Sequence, residues 1–418
     1  VDRIFYGWIV LAGLFLIYMA SNGIVLNAIP TFYPSMIQEF GWSEAEVTQP
    51  AGLFFLASAA ASLIGGVLVD KYPVKRLMIV GLLMVTAALG SVGLITNLSQ
   101  FILIYLVFAM GLAIGGLIPS MVLLTRWFVQ FRGIAVGILL MANNFGGSVF
   151  NFLIGGIIDD SGWRLTVFIL AGIGGLMMLI PVLFVVKNRP EDVGAYPDGA
   201  DAPPQNLAEA SVANSAVGPT LKEALQSPVF YLLAFVTAVM WFCIIGLLQH
   251  QPIYFGQDLQ LNAELLGGVI GIFFLFGFAG NILFGFLSDR FDKSTIMLVA
   301  TVTLATGIAL IRFASADATM VFYAYAMVAG LGYGGSFTMI QLTIADFFAG
   351  ASYGKILGVF TFVDTLAGSM GAIVLGSMRV ADGSYIQSFN IMLGLCVVSI
   401  IFVVILMQIR RSQRMQPA

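Results

Sequence analysis

Asp364 poses the first chemical question. It is the only Asp, Glu, Lys or Arg between Lys355 and Arg379, in an otherwise apolar run. An ionised carboxylate at the centre of a lipid-spanning helix costs about 2.5–3.5 kcal/mol. Such a group therefore exchanges a proton, meets a cationic solute, or is tied to a neighbouring helix by hydrogen bonds. It lies ten residues into its run, about 15 Å along a helix at 1.5 Å per residue, which is half of a hydrocarbon core about 30 Å thick. Asn22, Asn143, Asn281, Tyr333 and Gln341 stand inside other apolar runs, and His250 lies near the end of one, between Gln249 and Gln251. Each can line a wet cavity or bridge two helices, and bridging is a serious rival because interhelical hydrogen bonds are common in membranes. His250 can also titrate near neutral pH.

Other chemistries lack their residues. One histidine rules out HExxH-type zinc sites, and no GxxxxGK[ST] loop occurs to hold ATP. Cys243 and Cys396 lie in separate apolar runs and offer neither a disulfide framework nor a metal spacing. No cofactor or metal is expected. An enzyme needs paired acid–base groups or a metal at one depth, and Asp364 stands alone, so catalysis is not expected. A net charge of -3 carries no message about nucleic acid.

The elements that must position these residues follow from composition. The chain has 418 residues, 60% hydrophobic and 9% charged, against about 25% charged in soluble domains. Most of it must lie in lipid, and its long continuous apolar runs are helices rather than barrel strands. Twelve spans are predicted near 6–30, 47–69, 76–96, 100–125, 133–158, 164–187, 228–255, 263–288, 294–313, 319–346, 354–378 and 385–409. The first run is too long for a signal-peptide core and reads as a span. Residues 188–227 are polar and rich in Ala, Ser, Pro and Asn, and read as a linker. The expected domains are a bundle over 1–187, the linker 188–227 and a bundle over 228–418. Of the 18 Lys and Arg, 15 fall on the side holding the termini and linker; only Arg164, Arg312 and Arg379 fall opposite. The positive-inside rule puts that side in the cytoplasm, so a multi-pass protein of the cytoplasmic membrane is expected.

The halves repeat. Gly66 and Asp70 are answered by Gly285 and Asp289, and Gly111 and Gly115 by Gly330 and Gly334, all at an offset of 219. Gly133 and Gly137 are answered by Gly354 and Gly358 at 221, and Asn143 by Asp364 at the same offset. Two copies in one orientation form a parallel repeat, as in secondary transporters. The chain resembles the major facilitator superfamily. The loop signature of that family, Gly-x-Leu-x-Asp-Arg/Lys-x-Gly-Arg/Lys-Arg/Lys, is matched by Gly66-Val67-Leu68-Val69-Asp70-Lys71-Tyr72-Pro73-Val74-Lys75-Arg76, with Pro73 near the expected glycine. The second copy keeps Gly285, Leu287, Asp289 and Arg290, then Asp292 and Lys293. Glu39 to Glu46, Arg126-Trp127-Phe128 followed by Arg132-Gly133, Arg189 to Gly194, and Leu221 to Leu225 followed by Pro228 resemble the bacterial monocarboxylate-porter and oxalate–formate-antiporter families.

The resemblance implies an all-α membrane protein of twelve helices in two pseudo-symmetric bundles. It implies alternating access to a site near mid-membrane; a small solute, protons and the lipid bilayer are the expected partners, and a monomer is expected. Asp70, Arg126, Arg132, Asp289, Arg290, Asp346 and Lys355 are the expected gate residues. Asp346, with a stem one carbon long, needs a basic partner, expected to be Arg290 or Lys355. The related carriers hold an arginine where Asn281 stands, and the oxalate type a lysine where Asp364 stands. The leading expectation is proton-coupled movement of a monocarboxylate-like solute; the alternative is export or exchange of a neutral or cationic compound. A receptor that binds without moving its ligand is a further rival.

Overall fold

A computed structural model describes residues 5–128, 131–199, 219–314, 318–348 and 353–415; the side chains of residues 63, 66, 67, 69, 70, 132, 133, 353, 354 and 411–415 are outside the description. Asp70 and Arg132 are thus placed on their helices by backbone alone.

Among the described residues the regular structure is helical, with nine stretches long and apolar enough to cross a membrane. One of them, Ile134–Val185, is 52 residues long. It turns at Gly162 (φ 71, ψ 159), a conformation glycine tolerates, and so holds two spans. Glu44–Lys71 and Thr319–Phe348 add two helices of span length. The twelve are α1 Tyr6–Asn22, α2 Glu44–Lys71, α3 Val74–Val92, α4 Leu98–Gly115, α5 over 132–161, α6 over 163–185, α7 Pro228–Ile253, α8 Ala263–Arg290, α9 Lys293–Ile311, α10 Thr319–Phe348, α11 Tyr353–Asp382 and α12 Ile386–Met415. α4 breaks at Gly116 (ψ -123) and resumes over Leu117–Trp127.

The first helix runs further than its apolar pattern predicts. A π turn, Gly23–Ala28, and a 3-10 turn, Ile29–Phe32, carry α1 into a last helix, Tyr33–Phe40. Pro30 and Pro34 occupy first-turn positions, where a missing N–H costs nothing, so they redirect the helix rather than end it. Local chemistry explains the sequence around Glu39 to Glu46. Gly41 closes the helix in the left-handed region (φ 67). Ser43 and Glu46 form a capping box that starts α2, with the Ser43 N–H donating to Glu46 Oε2 at 2.8 Å. In the linker, Asp192 Oδ2 accepts from the backbone of Asn188 and Arg189 (3.1 and 3.2 Å), and Gly194 turns left-handed (φ 68).

The chain divides into two compact units, one holding residues 1–206 with 262–271, the other 207–261 with 272–418. The opening turns of α8 thus group with the first unit, where Gly267 lies against the backbone of Asn151 and Gly155. Within each unit the helices pair in the same pattern: α1 with α5 and α7 with α11, α3 with α4 and α9 with α10, α3 with α6 and α9 with α12. Small residues permit the approach. A Cβ on Gly81 would meet the Gly111 carbonyl at 2.5 Å, and one on Gly332 would meet the Leu304 N at 2.5 Å. In lipid, where the hydrophobic effect does not drive helices together, such close backbone packing supplies the attraction.

Candidate functional site

In the second unit, Gly368, Gly371 and Ala372 bring α11 close to α7. Gly368 lies against Ile245 and Trp241, and Gly371 against the Phe242 carbonyl. Asp364, one turn before Gly368, is buried in this unit with 3% of its surface exposed. Its carboxyl meets the hydroxyl of Thr237 on α7, while Oδ1 has no hydrogen-bond partner among the described residues. A buried, incompletely bonded carboxyl oxygen is costly unless the group is protonated or receives a ligand.

Further along the seam, His250 is engaged on both ring nitrogens: Nε2 lies 2.9 Å from the Ala372 carbonyl and Nδ1 2.9 Å from the Tyr385 hydroxyl. A carbonyl can only accept, so Nε2 carries the proton and Nδ1 accepts from Tyr385. In this structure His250 ties α7 to α11 and to the start of α12. Gln251 accepts from the Tyr325 hydroxyl at 2.6 Å. Tyr333 is buried and stacked on Phe273 (5.3 Å, 14°), which accounts for its ring by packing. Asn281, half-buried, accepts from the Thr338 hydroxyl at 3.1 Å. Gln341 is exposed on α10.

The first unit carries an amide counterpart. The π turn of the first helix frees backbone groups from the helical ladder, and Asn151 on α5 meets one of them, donating to the Asn27 carbonyl at 3.0 Å. Asn151 also accepts from the Thr31 hydroxyl. Asn27 donates to both Oδ1 and the carbonyl of Asn143, at 3.1 Å each. Asn22, buried, donates to Ser21 at 3.3 Å. The arrangement joins the same pair of helices as His250 does, with the side chain on the opposite partner. Asn27 and His250 are separated by 223 positions, Asn151 and Ala372 by 221, so one clamp joins first to fifth helix in each bundle. Asn22 and Asn143 belong to the first unit, Asn281 and Asp364 to the second.

At the linker end of the second unit Asp346 joins a charge network, with different partners from those expected. It pairs with Lys293 (3.3 Å) and with Arg410, which also reaches Asp292 (3.4 Å), rather than with Arg290 or Lys355. Asp289, Arg290 and Lys355 are exposed; the Arg290 guanidinium lies over the Phe286 ring, and Arg126 is half-buried. In the first unit the position matching Asp346 is Trp127, whose Nε1 donates to the Lys187 carbonyl at 3.2 Å. At the opposite end each unit has an acid–arginine clasp that sequence reasoning missed: Glu39 with Arg164 (2.6 Å) and Asp258 with Arg379 (2.6 Å). Arg164 further donates to the Gly93 and Ile95 carbonyls. Among the described residues no group of three or more His, Cys, Asp or Glu is placed to hold a metal.

One buried acid among the described residues and a polar clamp between helices in each unit, in two bundles with the same helix pairing, suit a solute carrier rather than a catalytic centre. The sequence model of the Major Facilitator Superfamily matches residues 10–372 and 251–418, and the chain belongs to that family. It is 23% identical over 407 residues to the MFS-type transporter pynF of Aspergillus niger, covering 94% of this chain and 87% of that protein. It is 24% identical over 357 residues to the oxalate:formate antiporter of Oxalobacter formigenes, covering 82% and 79%. Its fold matches the crystal structure of a bacterial homolog to the human lysosomal transporter Spinster, with a TM-score of 0.70 at 17% identity over 97% and 96% of the chains. The protein is a multi-pass membrane transporter of small solutes.

Proposed function

We propose that the chain moves a monocarboxylate-like solute together with a proton across the cytoplasmic membrane by alternating access, with Asp364 as the proton-coupling residue. The observation that carries this reading is the burial of Asp364 at mid-span in a chain whose Lys and Arg all stand at span ends or outside the spans. No basic side chain waits at mid-span for an anion. A monocarboxylate that travels with one proton is neutral overall and avoids the cost of an unpaired charge in lipid, about 2.5–3.5 kcal/mol. Likeness to an oxalate:formate antiporter supports the solute class. In this reading Asn22, Asn143, Asn281, Tyr333 and Gln341 serve the solute. Asp70, Arg126, Arg132, Asp289, Arg290, Asp346 and Lys355 serve the gates at the linker end.

A second reading has its own observation. Asn281 and Asp364 stand where the resembling carriers hold arginine and lysine, which suits a neutral or cationic solute exported or exchanged for protons.

Uptake into proteoliposomes under an imposed pH gradient separates the two. The first reading expects a labelled monocarboxylate to accumulate with the proton gradient and Asp364→Asn to abolish that drive while the protein stays folded. Gradient-driven uptake unchanged in Asp364→Asn would sink the role of Asp364. Movement of an amine against the proton gradient, with no monocarboxylate flux, would establish the second reading.

A further inference from the structure

The two cysteines, 153 residues apart, meet inside the second unit. Cys243 on α7 and Cys396 on α12 place their sulfurs 3.8 Å apart, in van der Waals contact, with both side chains buried as free thiols. The Cys243 thiol also lies 3.9 Å from the Met392 carbonyl, one turn before Cys396 on the same face of α12. Cys243 is ten residues from the end of α7 and Cys396 ten from the start of α12. At 1.5 Å per residue each lies about 15 Å from the far end of its helix, halfway through a core of roughly 30 Å. The two thiols therefore share one depth, mid-bilayer.

We propose that Cys243 and Cys396 form an oxidative modification site: a reversible intrachain disulfide that staples α7 to α12. Each sulfur needs to move by roughly 0.9 Å to reach the about 2.05 Å of a disulfide. The oxidant class that fits this depth is a small uncharged peroxide. One thiol sulfur attacks the peroxide O–O bond, forming S–O and releasing one water, with the thiol proton leaving in that water. The second thiol sulfur attacks the sulfenic sulfur, forming S–S, breaking S–O and releasing a second water. Two thiols lose two electrons and the peroxide gains them. Burial of both thiols limits access of the oxidant, so the pair reacts more slowly than an exposed thiol. The same burial excludes a charged reductant such as glutathione, so the bond persists in a compartment that keeps exposed thiols reduced.

The test uses the purified full chain in micelles, treated with hydrogen peroxide, then unfolded and labelled with a maleimide. The chain holds 2 cysteines, so the labelling count is unambiguous. The expected result is a fall from two labels per chain to none and a mass lowered by two hydrogen atoms, restored by dithiothreitol after unfolding. Glutathione added to the folded oxidised chain should leave the bond intact. Cys243→Ser and Cys396→Ala should each abolish the two-hydrogen loss. Two labels surviving oxidation, oxygen added to one sulfur with the other still free, or disulfide-linked dimers would overturn the proposal. Prompt reduction by glutathione in the folded chain would remove the sheltered site it requires.

Discussion

The clamp between the first and fifth helices yields a quantitative test. Asn151 is fully buried and makes two interhelical hydrogen bonds, accepting from Thr31 and donating to the Asn27 carbonyl. A third bond, to the Gly147 carbonyl at 2.7 Å, stays within its own helix. Interhelical bonds in membranes average about 0.6 kcal/mol and reach about 1.7. Asn151→Ala should therefore cost roughly 1.2 kcal/mol, with a ceiling near 3.4. The Thr31 part is isolated by a double-mutant cycle with Thr31→Val, whose coupling energy should be about 0.6 kcal/mol. The assay is equilibrium unfolding in mixed micelles, followed by tryptophan fluorescence, with ligand affinity measured alongside. Because the side chain is spent on packing, affinity should change far less than stability. A stability equal to wild type, or a cycle with zero coupling, would refute the assignment of these amides to helix pairing. Lost affinity at wild-type stability would instead move Asn151 into the solute site.

Asp346→Asn should lower stability by about 1–3 kcal/mol, below the 3–5 for breaking a fully buried pair because the network is partly solvated; unfolding midpoints check it, and solute affinity should hold. Gly334→Val drives a side chain into the Gly277 backbone, where α8 meets α10, and should cost about 1–3 kcal/mol or prevent folding. Gly172→Val, with nothing within 4 Å of its new Cβ, should leave the folded yield unchanged. Glu39→Gln should cost under about 1 kcal/mol, because both partners of its ion pair are more than a third exposed. Arg164→Ala should cost more, because the Gly93 and Ile95 carbonyls lose their donor as well; thermal melts of the two variants rank them.

What the sequence determined by itself was everything that depends on local chemistry or on long repetition. Twenty-residue apolar runs have one stable form in lipid, because a backbone without water must bond to itself. The helical class and the twelve spans were therefore legible, and glycines recurring at one offset exposed the duplication. Charge placement was legible as well: Asp346 ends a span with too short a stem to reach water, so its need of a basic partner could be read. Which partner it takes could not. Lys293 and Arg410 lie 53 and 64 positions away, and only the packing of α9, α10 and α12 brings them to one carboxylate. The same holds for His250, a polar residue near a span end in sequence and a helix clamp in the fold. It holds too for Cys243 and Cys396, which lie in separate apolar runs in sequence and meet in the fold. The physical reason is common to all three. A soluble helix shows its facing side as a polar–apolar stripe, but a helix that is apolar all round shows none. Its rotation is set by where small residues let another backbone approach, as Gly368 and Gly371 do beneath Trp241 and Phe242, and that rotation decides which side chains meet.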